Sequence, residues 1–262
     1  MKQVNFHTHT SRCMHAVGKD EEYVIQAIRN GFDTLGFSDH CPWNYASSFQ
    51  AGMRMPLTQF SEYKESVLSL KEKYKEQITI YLGLEAEYFP AYMDWMESFC
   101  RKESVDYLIF GNHYHTSDEI SSYYPYAGKH SFDTYIDDCL QGMKTGLYSY
   151  LAHPELIMMN EGLEWDEHVD EQFHRICALA KELDLPLEYN AAGMMANHWF
   201  GEAYPHHRFW QIASQYQNKA LVGMDAHDPN NLSEDIYREA IRQLSSYNVE
   251  IIDTIRLDRF KG

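Results

Sequence analysis

The feature that most restricts the fold is a repeated alternation between short, almost unbroken apolar runs and longer stretches with one apolar side. The runs span 3–8, 34–40, 78–87, 107–113, 147–153, 185–192 and 220–225. Strands that are apolar on both faces belong to parallel sheets covered on both sides. Between them, Phe60, Tyr63, Val67, Leu70 and Tyr74 recur at helical spacing. Phe132, Tyr135, Ile136, Cys139, Leu140 and Met143 form a second stripe, with Ser131 placed to cap it, and Val169, Phe173, Ile176, Cys177, Ala180 and Leu183 form a third. Strand and helix in alternation predict parallel strands joined by crossover helices. Periodicity alone leaves a closed barrel and an open doubly wound sheet both available. No linker, charge block or repeat interrupts the pattern, so a single domain over 1–262 is expected.

The polar exceptions fall at one end of these runs. His7 and His9 follow the first, and His40 ends the second. Glu85 lies late in the third; His113, His153 and Asn190 end the fourth, fifth and sixth; Asp225 and His227 close the seventh. The C-terminal edge of a parallel sheet is where active sites assemble. A lone strand-end histidine is usually a hydrogen-bonded structural residue, but independent ones have no reason to share an edge. His7 and His9, at i and i+2, point to one side of a strand and can ligate one ion. With His15 in the loop beyond, seven histidines, Glu85 and Asp225 make nine candidate ligands. One ion takes about four or five, so two or three ions are expected, of a kind that suits mixed imidazole and carboxylate: zinc, iron or manganese. Asp39 neighbours His40 but points the opposite way along the strand, which suits a supporting role.

Charge and cysteine content exclude other classes. With 22 Lys and Arg against 39 Asp and Glu, the net charge is −17, which disfavours a nucleic acid polymer or an anionic membrane as partner. No apolar run reaches membrane-spanning length and no secretory signal opens the chain. Five cysteines, none in a CxxC pair, read as free thiols in a reducing cytoplasm. Neither a phosphate-cradling GxxxxGK[ST] or GxGxxG loop nor a GxSxG nucleophile turn occurs.

Taken in order, "FHTHTSRCMH", "GFSDH", "GLEAEY", "GNHYH", "AHPE", "EYNAAG" and "GMDAHD" resemble the motifs of the PHP (polymerase and histidinol phosphatase) family, and most of all its stand-alone histidinol-phosphatase branch. The resemblance covers essentially the whole chain. It implies a distorted (β/α)7 barrel of parallel strands and a trinuclear centre that hydrolyses a small phosphorylated metabolite by a hydroxide held between ions. By that resemblance His7, His9, Glu85 and Asp225 hold one ion; Glu85, His113 and His153 a second; and His15, His40 and His227 a third. Asp225 or His227 is the expected proton donor to the leaving group.

The resemblance breaks at the phosphate. The histidinol-phosphatase branch carries an Arg after both its "HPE" and "NAAG" motifs, where this chain has Met158 and Met159, and Met194 and Met195. The substrate contacts expected instead are Arg54, Tyr114, Asn190 and Arg208, with Lys129 as a further cation. Two other readings compete. An amidohydrolase-type barrel also opens with HxH but often bridges its metals with a strand lysine, and no run past position 2 contains one. A non-catalytic metal-binding module fits poorly with a full ligand set.

Overall fold

The expected runs do line up side by side, and every neighbouring pair is parallel. In the computed structural model, which describes residues 1–260, β1 (Val4–Asn5), β2 (Thr34–Phe37), β3 (Thr79–Ala86) and β4 (Tyr107–Phe110) form one sheet in that order. β5 (Leu187–Asn190), β6 (Lys219–Gly223) and β7 (Glu250–Ile251) form another. Leu151 joins the two, pairing with Phe110 on one side and Leu187 on the other, and Thr8 pairs with Ala226 to bring the end of β6 back to β1. The sheet is therefore curled into the distorted TIM-like barrel expected.

Two strand expectations need correction. The run 147–153 holds a strand's place but pairs only at Leu151, and it ends where His153 turns to φ 56°. The run 185–192 stops at Asn190, whose side chain accepts from the Gly193 N–H at 2.8 Å and caps the helix that begins at Ala191. β7 was not anticipated; it is two residues long, beside the start of β6.

Among the described residues eight α-helices cover the strands: α1 (Asp20–Arg29), α2 (Phe60–Lys73), α3 (Met93–Glu103), α4 (Phe132–Lys144), α5 (Glu167–Glu182), α6 (Ala191–Phe200), α7 (His207–Tyr216) and α8 (Glu234–Leu244). The three sequence stripes are α2, α4 and α5, and their apolar sides are buried. Each fully buried Phe173 or Ile176 contributes roughly 1.5–3 kcal/mol relative to exposure. Ser131 precedes α4 as expected, but its hydroxyl donates to the Gly128 carbonyl at 2.8 Å and caps nothing.

Inside the strands lies a separate small core of Val4, Phe6, Tyr107, Ile109, Tyr150, Ala152 and Leu221. Tyr107 crosses it and donates to the carbonyl of Phe6 at 2.8 Å. Glycine is required at 36 and 83, because a Cβ there would stand 2.2 and 2.3 Å from the Tyr107 side chain. This plug fills the barrel below the histidines, so polar groups at the strand ends face a floor, and the site opens one way.

Candidate metal centre

The strand ends bring together all nine candidate ligands. His7 Nδ1 lies 2.7 Å from Glu188 Oε1, and since a carboxylate can only accept, Nδ1–H donates to it and Nε2 is the nitrogen left to meet an ion once its proton is lost. That Nε2 faces His9 Nε2 at 3.1 Å, Asp225 Oδ1 at 3.4 Å and Glu85 Oε2 at 3.6 Å. His9 Nε2 in turn stands 3.2 Å from Asp225 Oδ1 and 3.5 Å from Glu85 Oε2. Four donors bound tetrahedrally at about 2.0–2.2 Å stand about 3.3–3.6 Å apart, so these spacings are close to those of a ligand cage. The other Glu85 oxygen points to a second group, 2.9 Å from His153 Nε2 and 3.4 Å from His113 Nε2. His15, His40 and His227 form a third, their ligand atoms all within 4.8 Å of one another.

Buried polar atoms without partners mark the same place. Glu85 Oε2 and His227 Nε2 have no hydrogen bond of good geometry although both are shielded from solvent, and Glu85 Oε2 meets only ring nitrogens, His40 Nδ1 at 3.0 Å among them. An orphaned buried carboxylate oxygen is expensive unless a cation meets it, so the donor set fits bound metal. Two of the ligands sit on strained backbone: His153 and Asp225 have φ of 56° and 49° in the left-handed region, which turns strand-end side chains into the mouth.

A second tier of carboxylates holds the histidines. Glu188 fixes His7, and Asn190 Nδ2 donates to both Glu188 and Asp225, at 2.9 and 3.1 Å. Glu87 receives His113 Nδ1 at 3.1 Å. Asp39 lies 3.7 Å from His9 Nδ1 and receives the hydroxyl of Thr10, the supporting place expected of it. Such outer carboxylates set tautomer and ring orientation. Glu188 and Glu87 were not picked out as site residues, although an ionisable residue inside an apolar strand run, as in "LEYN", is the signal that could have found the first.

When no ion is bound, protons share the charge. Burial pulls His9 down, yet its contacts with Asp225 and Asp39 outweigh this and raise it to about 9. His7 is raised well above its ordinary value, against burial, by Asp225, Glu188 and Glu85. Burial also opposes ionisation of Glu85 and Asp225, but the surrounding histidines hold both well below the usual carboxylate range. Burial and His9 push His227 down to about 4. Without an ion, Asp225 is thus held ionised and His227 neutral.

The sequence pattern of the PHP domain matches residues 5–192. The chain belongs to the PHP domain family. A Deinococcus radiodurans protein named "Probable histidinol-phosphatase" is 27% identical over 235 residues, 86% of each chain. Two solved structures share the fold. One from Listeria monocytogenes overlays at TM-score 0.72 and 23% identity, covering 87% of this chain and 97% of its own. A histidinol phosphate phosphatase of Lactococcus lactis, solved with zinc, L-histidinol and phosphate, overlays at TM-score 0.69 and 16% identity over 99% of this chain and 98% of its own.

In this PHP protein the candidate ligands other than His7 floor a cavity of about 550 Å³, whose wall is Met53, Tyr114, Tyr123, Tyr126, Leu156 and Tyr204. Tyr114 thus stands where substrate contact was expected. Asn190 does not; it braces Glu188 and Asp225. Arg54 is fully buried and paired with Glu87 and Asp118, at 2.7 and 3.0 Å. Arg208 lies half-exposed over Trp165 and pairs with Asp170. Lys129 is exposed at the start of α4. Among the described residues no Lys or Arg lines the cavity. Tyr123, Tyr126 and Tyr204 were not singled out, because twenty tyrosines give a sequence no way to rank them. Lys219 lies at the far end of β6 and pairs with Asp184 at 2.7 Å, and among the described residues no other lysine lies in a strand to serve as the bridging lysine of amidohydrolase-type barrels. All five cysteines are free and buried, and burial pushes the Cys13 thiol beside His9 up to about 12. No helix among the described residues is long and apolar enough to cross a membrane.

Proposed function

We propose that this protein is a metal-dependent phosphomonoesterase of histidinol-phosphatase type, acting on a small phosphorylated metabolite with two or three divalent ions of zinc, iron or manganese. The observation that carries the reading is the convergence of His7 Nε2, His9 Nε2, Glu85 Oε2 and Asp225 Oδ1 at ligand-cage spacing on the floor of an open cavity. Family membership and the phosphatase names of its relatives support the same chemistry.

His7, His9, Asp225 and Glu85 would hold the first ion, with Glu85 shared towards His113 and His153, and His15, His40 and His227 at the third position. Such ions lower the pKa of water for attack at phosphorus and neutralise phosphate oxygens. The residues do the rest. Glu188 and Glu87 keep His7 and His113 in the tautomers that ligate. The Tyr107 plug closes the floor, so water reaches the centre from the mouth alone. The tyrosines offer neutral hydroxyls and ring faces to the substrate, and with no Lys or Arg on the wall the phosphate charge falls to the ions.

Purified protein loaded with zinc or manganese is expected to release phosphate from an aryl phosphate and from histidinol phosphate, and to stop after chelation. His9→Ala and Glu85→Ala are expected to lose at least 100-fold in kcat. Full activity in the fully chelated protein, or in both variants, would end this reading.

A further inference from the structure

Arg54 presents a problem the metal site alone does not solve: a guanidinium with almost no solvent exposure, close beneath the cavity but not facing it. Burying such a charge is costly unless every donor is matched. Here they are. Nη2 donates to Glu87 Oε1 at 2.7 Å and Nη1 to Glu87 Oε2 at 3.0 Å, a two-pronged clamp; Nη1 also reaches the Cys41 carbonyl at 3.1 Å, and Nε donates to Asp118 at 3.0 Å. Trp43 Nε1 adds a further bond to Glu87 Oε2 at 3.0 Å, and His113 Nδ1 completes the set on Oε1 at 3.1 Å.

Glu87 could itself be mistaken for a ligand, since it lies within 4.8 Å of ligand atoms of His40 and His113. Its occupancy argues otherwise. Each oxygen already receives two donors, so binding an ion would require breaking the Arg54 clamp or releasing His113. A carboxylate held on four bonds is a support. Arg54 also ties two mouth segments together: it belongs to the segment after β2, while Asp118, which also receives the Tyr45 hydroxyl at 2.7 Å, belongs to the segment after β4 that carries Tyr114, Tyr123 and Tyr126.

We propose that Arg54 and Glu87 are positioning residues for the ion shared by His113 and His153: Arg54 clamps Glu87, and Glu87 holds the His113 ring at the angle and tautomer that ligation needs. This rests on the metal-centre reading above. Outer carboxylates of this kind typically change metal affinity 10–100-fold.

The test is competitive zinc titration with a chromophoric chelator on the full-length protein, with circular dichroism to confirm folding. Glu87→Gln, which keeps shape but removes charge, is expected to weaken one zinc 10–100-fold and leave the others within about twofold. Arg54→Met is expected to weaken the same zinc. If that variant does not fold, Arg54→Lys, which keeps the charge but loses the two-pronged geometry, carries the same expectation. Arg175→Gln removes an exposed guanidinium paired with Asp137 and is expected to match the parent protein. Unchanged zinc binding in folded Glu87→Gln and Arg54→Lys, or equal weakening of every zinc, overturns the proposal while leaving the metal-centre reading intact. A parent protein that binds no zinc overturns both.

Discussion

Gly111 offers the sharpest perturbation, because a single methyl group there meets the centre of the site. A Cβ at this position would lie 2.0 Å from Glu85 Oε1, 2.6 Å from Glu85 Cδ and 2.7 Å from His113 Cε1. Ordinary contact needs about 3.4 Å, so the carboxylate must retreat by about 1.4 Å, the difference between 3.4 and 2.0. Glu85 Oε1 now stands 2.9 Å from His153 Nε2 and 3.4 Å from His113 Nε2. Metal–ligand distances tolerate about 0.2 Å, so a shift of this size takes Glu85 out of any shared position. A misplacement of about 1 Å is worth about 10²-fold in rate, or about 2.7 kcal/mol. Gly111→Ala is therefore expected to lose at least 100-fold in kcat and at least one bound metal, measured by phosphate release and elemental analysis. Its φ is not in the left-handed region, so no backbone strain confuses the result. Gly52→Ala, where a Cβ meets nothing within 4 Å, is the control. A Gly111→Ala protein with full metal content and full activity would refute the placement of Glu85.

Other expectations follow from the same geometry. With His9 raised to about 9 in the metal-free protein and near 6.5 when unfolded, its stabilisation is complete below about pH 6.5 and is lost as pH rises to 9. Metal-free protein should melt at progressively lower temperature across that window, and zinc uptake at pH 7.5 should release protons to an indicator dye; a flat melting profile with no proton release would contradict the protonation scheme. Stepwise chelation should remove the zinc at His113 and His153 before the one at His7 and His9, read by extended X-ray absorption or by titration of the corresponding alanine variants. Since no Lys or Arg lines the cavity, a substrate bearing a second anionic group leaves that group unpaired at about 1–3 kcal/mol, so phosphoserine should show kcat/KM about tenfold or more below an uncharged aryl phosphate. Tyr126, four-fifths exposed at the rim beside Tyr123, should bind aromatic leaving groups: Tyr126→Ala is expected to raise KM for an aryl phosphate about 2–12-fold with kcat unchanged, from about 0.5–1.5 kcal/mol of ring contact.

What the sequence made legible is what depends on local spacing. The barrel follows from apolar runs alternating with helical stripes, and the ligands stand out because His7, His9, His40, His113, His153, Asp225 and His227 interrupt those runs at the same end. The supports were harder to read because their meaning lies in partners far along the chain. Arg54 looks in sequence like a free cation near a mouth loop; its role is decided by Glu87 and Asp118, 33 and 64 residues away. Arg208 is likewise claimed by Asp170, 38 residues earlier. Glu188 binds His7 across 181 residues. Short elements escaped for a different reason: β7 has two residues, too few for any period, and the run 147–153 keeps strand-like hydrogen bonds to Leu108 and Phe110 without regular pairing beyond Leu151.

The two supporting carboxylates use one device in different charge settings. Glu188 and Glu87 each accept a hydrogen bond from the Nδ1–H of a candidate ligand histidine, but their own surroundings differ. Among the described residues Glu188 pairs with no Lys or Arg and is seated by the neutral amide of Asn190, in a niche that exists because residue 223 is glycine; a Cβ there would fall 1.7 Å from Glu188 Oε1. Glu87 is neutralised by the Arg54 clamp. An uncompensated carboxylate behind His7 makes its Nε2 the more electron-rich donor and adds a full negative charge to a cage that already contains Glu85 and Asp225. The cage at His113 has the same tautomeric control without that field. In the proposed centre, two ions sharing Glu85 would then be held unequally, one in a strongly anionic nest and the other in a less anionic one. Such an asymmetry would leave the ion held by His7 and His9 bound more tightly than the one held by His113 and His153.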